Sequence, residues 1–164
     1  MNGSDAKRPV VRFSDVAVVR GGREIWSEGT FEVPRGCIVG VIGPNGSGKT
    51  TFLKLLLGLL TPSTGSIGVL GETPRRGNPR IGYVPQNYTA AVGDAVRCRD
   101  LVHLSLLGTR WGVGQRNLQP HALVDEALAA VDATGFADER MSQVSGGQQQ
   151  RVAIAAGLVN SPDL

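Results

Sequence analysis

A chain of 164 residues, 41% hydrophobic and 19% charged, can bury one core and is too apolar to be disordered. The net charge of +3 is mild and its cations are scattered, which argues against a nucleic-acid partner or direct contact with an anionic membrane. Cys37 and Cys98 are too few for a disulfide framework and stand in no metal-ligand spacing, so a reduced, cytoplasmic setting is expected.

In chain order, the opening "MNGSDAKRPVVRF" has no apolar signal core. Alternating apolar residues then predict an antiparallel sheet with strands at Val10–Phe13, Val16–Arg20 and Thr30–Val33. "CIVGVIG", Cys37–Gly43, is a continuous apolar run of the kind found in a strand buried on both faces. A glycine loop follows, then a helix from Lys49 to Leu57. The greasy run "FLKLLLGLL", Phe52–Leu60, is too short to span a bilayer and carries Lys54, so any service to a membrane must pass through a partner. Short strands are expected at Ser66–Leu70 and at Arg80–Gln86, the second buried. From Ala90 to Val144 the pattern turns helical, with Leu101, Leu104 and Leu107 and then Leu123, Ala127, Leu128 and Val131, interrupted by "GTRWGVGQRNLQP". A last helix begins at Ser145 as N-cap, places Val152, Ala155, Ala156 and Val159 on one face, and ends at Asn160–Pro162.

The strongest chemical signal is "GPNGSGKT", Gly43–Thr50. Glycines at both ends let the backbone wrap a phosphate with its N–H groups inward, and the next helix adds the positive end of its dipole. Lys49 is placed to reach β- and γ-phosphates, and the Thr50 hydroxyl to ligate Mg²⁺. An incidental glycine-rich turn would need neither a buried strand before it nor a helix after it. Gly43, Pro44, Asn45, Gly46, Ser47, Gly48, Lys49, Thr50 and Thr51 are therefore expected to form a nucleoside-triphosphate site. A second signal, "VSGGQQQR" at Val144–Arg151, would by itself be a capped helix with a flexible start. Beside a P-loop it becomes a second anion-binding surface, made by Ser145, Gly146, Gly147 and Gln148.

With both motifs, the chain resembles the nucleotide-binding subunit of an ABC transporter, whose signature is usually written LSGGQ. The resemblance implies an α/β P-loop NTPase with an antiparallel β subdomain, part of a RecA-like parallel core and an α-helical subdomain. Its parts would be residues 1–89 (β subdomain and P-loop core), 90–144 (helical subdomain) and 145–164 (signature helix). It implies ATP and Mg²⁺ as cofactors, with Gln86 of "YVPQ" contacting Mg²⁺ and the attacking water. It also implies a head-to-tail dimer of like or paired nucleotide-binding subunits. A transmembrane permease would be the partner, with the chain peripheral to the inner face of the cell membrane and touching it only through that permease.

The sequence departs from the family in places. Arg20 stands where an aromatic residue before "GG" commonly stacks on adenine, and a guanidinium plane can also stack on a π-face. Val144 replaces the leucine of the signature. "AAGL" replaces "ARAL", which puts Gly157 inside a helix at a cost of up to about 1 kcal/mol. His103 and His121 both precede the signature, so neither is the family's switch histidine, and each is expected to be a surface or packing residue. In the family, "NSPDL" leads into a strand ending in the aspartate and glutamate that hold Mg²⁺ and polarise the water, and the chain is expected to be a domain cut short before that strand. Asp163, in the turn, is no substitute. The family likeness is nearest to ATPases of zinc, manganese and iron-chelate importers, with drug exporters as the alternative inside the class. Outside it stand an ATP-binding module without turnover and a translation factor with paired cassettes.

Overall fold

The alternation that predicts two N-terminal strands produces one. In the computed structural model, which describes residues 9–86, 95–107 and 119–164, β1 runs unbroken over Val11–Arg20. Val11 and Phe13 are buried, then Val16 and Val18, so inward parity slips by one residue between the pairs. The register shows why. Phe13 faces Phe31 and Val16 faces Gly29, which leaves one extra residue on β1. Asp15 takes φ 49 at this bulge, its amide donating to Thr30 Oγ1 at 2.9 Å and its carboxylate accepting the Thr30 hydroxyl at 3.0 Å. β2 (Arg23–Val33) and β3 (Thr64–Val69) flank β1 antiparallel, giving the order β2-β1-β3.

One helix, α1 (Lys49–Leu56), follows the P-loop and packs on this sheet through aromatic rings. Phe13 and Phe31, partners in the register, stack at 4.6 Å. The Phe52 ring of α1 sits 5.6 Å from Phe13, 5.7 Å from Trp26 and 6.1 Å from Phe31. At the far end Leu59 N donates to Lys54 O and Gly58 N to Leu55 O, the paired bonds that close a helix C-terminus. This unit runs to Asn78 and includes Leu164.

Two expected strands do not form. Cys37–Gly43 and Arg80–Gln86 make no ladder, and the residues expected to be buried lie open, with Ile38 at 102% and Ile42 at 96% exposure. A strand exists only through a ladder with another strand, and among the described residues no strand pairs with either segment. Apolar composition alone does not make a ladder.

The other unit, Pro79–Asp163, is helical. α2 (Cys98–Leu107), α3 (Gln119–Ala129), a 3-10 turn at Thr134–Phe136 and α4 (Gly146–Leu158) enclose one core of Cys98, Leu101, Val102, Val124, Leu128, Met141 and the α4 face. That face is the expected one: Val152, Ala155, Ala156 and Val159 are all buried. On α2 and α3 the expected stripe holds in part. Leu101, Ala127 and Leu128 are buried, but Leu104 and Leu123 are exposed while Val102 and Val124 are buried, because the neighbouring helices select the face. The interruption at 108–118 and the stretch 90–94 of the expected helical region lie outside the described residues. Arg99 ties α2 to α3 and the following turn by pairing with Asp125 and, at 3.1 Å, with Asp138.

Phe52→Ala removes the ring that joins α1 to the sheet. The expected loss is about 3 kcal/mol or more, read as a lower urea midpoint by tryptophan fluorescence. A loss below about 1 kcal/mol would mean that α1 is held by other means.

Candidate nucleotide-binding site

The loop ahead of α1 is shaped by its own backbone and closed by its own lysine. Ser47 N donates to Pro44 O at 3.3 Å, and a Cβ at Gly43 would lie 2.6 Å from Ser47 Oγ, so the two ends of the turn crowd together. Gly48 is the N-cap of α1 at φ 88 with no side-chain cap. That conformation suits glycine, and space demands it as well: a Cβ there would meet Ile25 Cγ2 at 3.2 Å and the Trp26 indole at 3.6 Å. The first helical bond runs from Phe52 N to Gly48 O, so the amides of Lys49, Thr50 and Thr51 come before any i→i−4 partner. Lys49 Nζ reaches back across the loop and donates to the carbonyls of Gly43 and Pro44, each at 2.7 Å. A concave backbone, a helix N-terminus and a cation thus converge on one place, the arrangement that takes a phosphate chain.

Trp26 escaped the sequence reading. Its signal was only an aromatic residue in an alternating strand, yet its indole lies beside Gly48 and within the Phe52 cluster. Arg20 is exposed at the tip of the β1–β2 hairpin, directly across from Arg23.

The signature residues occupy the start of α4 as expected. Ser145 Oγ accepts from Gln148 N at 3.4 Å while Gln148 Oε1 accepts from Ser145 N at 2.8 Å, a reciprocal capping box. Gly146 and Gly147 are exposed between them. Gln149, also missed, donates through Nε2 to Met141 O at 2.8 Å and to Val144 O at 3.4 Å, and so holds the approach to the helix. Arg151 donates to Asp132 O at 3.1 Å and lies over the Phe136 ring at 5.5 Å. Gln86 is exposed at the end of the Arg80–Gln86 segment. The structure brings Gly43–Thr51 together in one loop and Ser145–Gln148 together at one helix start. The first group belongs to the sheet unit, Gln86 and the second group to the helical unit.

Among the described residues, two groups titrate away from their ordinary values, and neither lies in these loops. Burial pushes the Cys98 thiol up, opposed by its backbone hydrogen bond and helped by the Glu139 charge. The hydrogen bonds that Arg99 donates to Asp125 and then to Asp138 raise its guanidinium. Cys98, with its Sγ 3.7 Å from Met141 Sδ, is therefore a packing thiol, not a nucleophile. His103 and His121 stack on each other at 5.5 Å, half-buried and exposed respectively, in line with the surface or packing role expected of them.

A P-loop and a capped signature helix on one α/β chain define an ATP-binding cassette. The ABC transporter family model matches residues 27–164, and the chain belongs to that family. It is 34% identical over 157 residues to the manganese transport system ATP-binding protein MntB of Bacillus subtilis, covering 94% of this chain and 62% of that protein. It is 32% identical to the zinc transport system ATP-binding protein TroB of Treponema pallidum, over 94% of this chain and 58% of that one. Among solved structures it resembles a metal-chelate type ABC transporter in an inward-facing conformation, with TM-score 0.79 and 25% identity over 93% of this chain and 56% of that chain. A component of the ABC transporter complex cbiONQ of Clostridium perfringens shares the fold at TM-score 0.80 and 22% identity, over 95% of this chain and 63% of that chain. The chain thus spans about three fifths of the length of these relatives. The fold class is that of the ABC nucleotide-binding domain, although the parallel ladder expected around Cys37–Gly43 is not formed among the described residues.

Ser145→Ala removes half of the capping box. The helical unit should lose about 1 kcal/mol, measured as a shift in urea unfolding followed by circular dichroism, and Ser145→Asp should keep most of it. An unchanged Ser145→Ala midpoint would show that the box does not stabilise α4.

Proposed function

We propose that the chain is the ATP-binding part of an ABC transporter and that its P-loop holds the phosphates of Mg²⁺-ATP. Backbone amides from Asn45 to Thr51 would bind phosphate oxygens, Lys49 would meet the β- and γ-phosphates, and Thr50 would ligate Mg²⁺ together with Gln86. Arg20 would stack on the base. Ser145, Gly146, Gly147 and Gln148 would close on the nucleotide of a second, like or paired subunit. Residues 1–89 would then serve as β subdomain and core, 90–144 as the helical surface for a permease, and 145–164 as the signature helix.

The observation that carries this reading is the Lys49 side chain spanning the Gly43–Gly48 loop at the start of α1. In the whole protein, hydrolysis would drive transport at the inner face of a membrane, through a permease that does the crossing. No described helix is long and apolar enough to cross by itself. Import of a metal ion or metal chelate is the favoured cargo, since relatives named for manganese, zinc and hemin match over more than nine tenths of this chain. A relative named for Nod factor export matches as well, at 36% identity, so direction rests on the relatives named for zinc uptake, zinc import and hemin import.

Lys49→Ala should weaken ATP binding between about 10- and 100-fold, the loss of one or more charge-assisted hydrogen bonds. Titration calorimetry giving equal affinities for the wild type and the variant would overturn the P-loop assignment.

A second reading is binding without turnover by these 164 residues. Lys49, Thr50 and Gln86 can meet charge on the γ-phosphate, but none is a carboxylate able to orient water. Phosphate release by the chain should equal that of Lys49→Ala. Release that is clear in the wild type and lost in the variant would establish turnover.

A further inference from the structure

Gly157 lies inside α4, where glycine is a poor helix former, so a steric cause is to be sought. A Cβ at Gly157 would fall 2.9 Å from Val84 Cγ2. A Cβ at Gly82 would fall 2.5 Å from the Gly157 carbonyl oxygen and 3.0 Å from Pro162 Cγ. At Gly82 a methyl would run into the backbone of α4, and at Gly157 it would run into the Val84 side chain, so something must shift in either case. The segment Arg80–Gln86 therefore lies against the bare backbone of α4. Its near end is pinned separately: Arg80 Nε meets Asp163 Oδ2 at 2.6 Å, and Arg80 O accepts from Asp163 N at 2.8 Å. Gln86 follows Val84 by two positions, and α4 is the helix whose other end is capped by Ser145.

We infer that Gly82 and Gly157 are positioning residues, whose missing side chains set the separation of Arg80–Gln86 from α4 and so place Gln86 relative to the signature helix. This rests on the roles proposed above for Gln86 and for Ser145–Gln148. A methyl at 157 has Val84 Cγ2 in its way, so it would push Val84 outward and carry Gln86 with it. Shortening Val84 would let the segment settle back.

The sign of the stability change separates this from ordinary helix chemistry. Propensity by itself makes Gly157→Ala stabilising; the close approach makes it destabilising. In the 164-residue chain, Gly157→Ala is expected to lower the unfolding temperature and to shift the backbone and side-chain amide resonances of Gln86. Gly157→Ala combined with Val84→Ala is expected to return both toward wild type, a non-additive recovery. A higher unfolding temperature in Gly157→Ala, or Gln86 resonances that do not move, would overturn the inference. If Gly157→Ala does not fold, Val84→Ala alone carries the test. Gln86 amide exchange should then speed up while Ala153–Ala156 exchange stays unchanged, and an unaltered Gln86 would again overturn it. These readouts need no nucleotide, so a failure of ATP binding and a failure of this contact remain distinguishable.

Discussion

The contact on which the candidate site depends is the Phe52 ring wedged among Phe13, Trp26 and Phe31. α1 is only eight residues long and would be marginal in isolation, since short helices gain too little to offset nucleation. Ring packing supplies what length does not. Phe52 is 7% exposed and Leu55, one turn further, is fully buried. Because Phe52 follows Lys49 by three positions, the face that buries the ring also fixes the start of the helix beside Gly48. The antiparallel sheet therefore orients the phosphate loop, even though the apolar segment leading into that loop pairs with no strand among the described residues.

The two motifs are held by different physics. Around the P-loop, backbone turns and a side-chain cation satisfy one another inside a single loop. At the signature, a serine and a glutamine cap a helix whose far face is buried in a methyl-rich core, with Gln149 bracing the approach. The second arrangement leaves Gly146 and Gly147 exposed at the helix start, where backbone can meet an anion closely. Arg99, bridging Asp125 and Asp138, keeps α2, α3 and the turn after them in register with that core.

Local codes were legible in the sequence. The Ser145 cap, the α4 face and the P-loop-to-helix junction each depend on residues a few positions apart, and each was found where expected. What depends on distant partners was not legible. Cys37–Gly43 has the composition of a buried strand, but a ladder needs neighbours that composition cannot supply. The slip of parity at Asp15 was visible as Phe13 followed by Val16, yet it read as two strands because a bulge shows only against its partner. The buried stripes on α2 and α3 keep Leu101, Ala127 and Leu128 of the expected pattern but take in Val102 and Val124 and leave out Leu104 and Leu123, since packing partners choose the face. Gly157 looked like an unexplained cost and gains a reason only from Val84 and Gly82.

Lys49 has a consequence of its own. With two backbone acceptors at 2.7 Å, the ammonium is solvated by the protein itself. A phosphate that takes this cation exchanges one set of acceptors for another, so the gain is a difference and not the full strength of the new contact. On the reading proposed for Lys49, the loop would act as a threshold on anionic charge. Weak or singly charged anions would compete with neutral carbonyls on poor terms, while a polyphosphate chain would bring enough negative charge to draw the ammonium away and enough length to occupy the amides behind it.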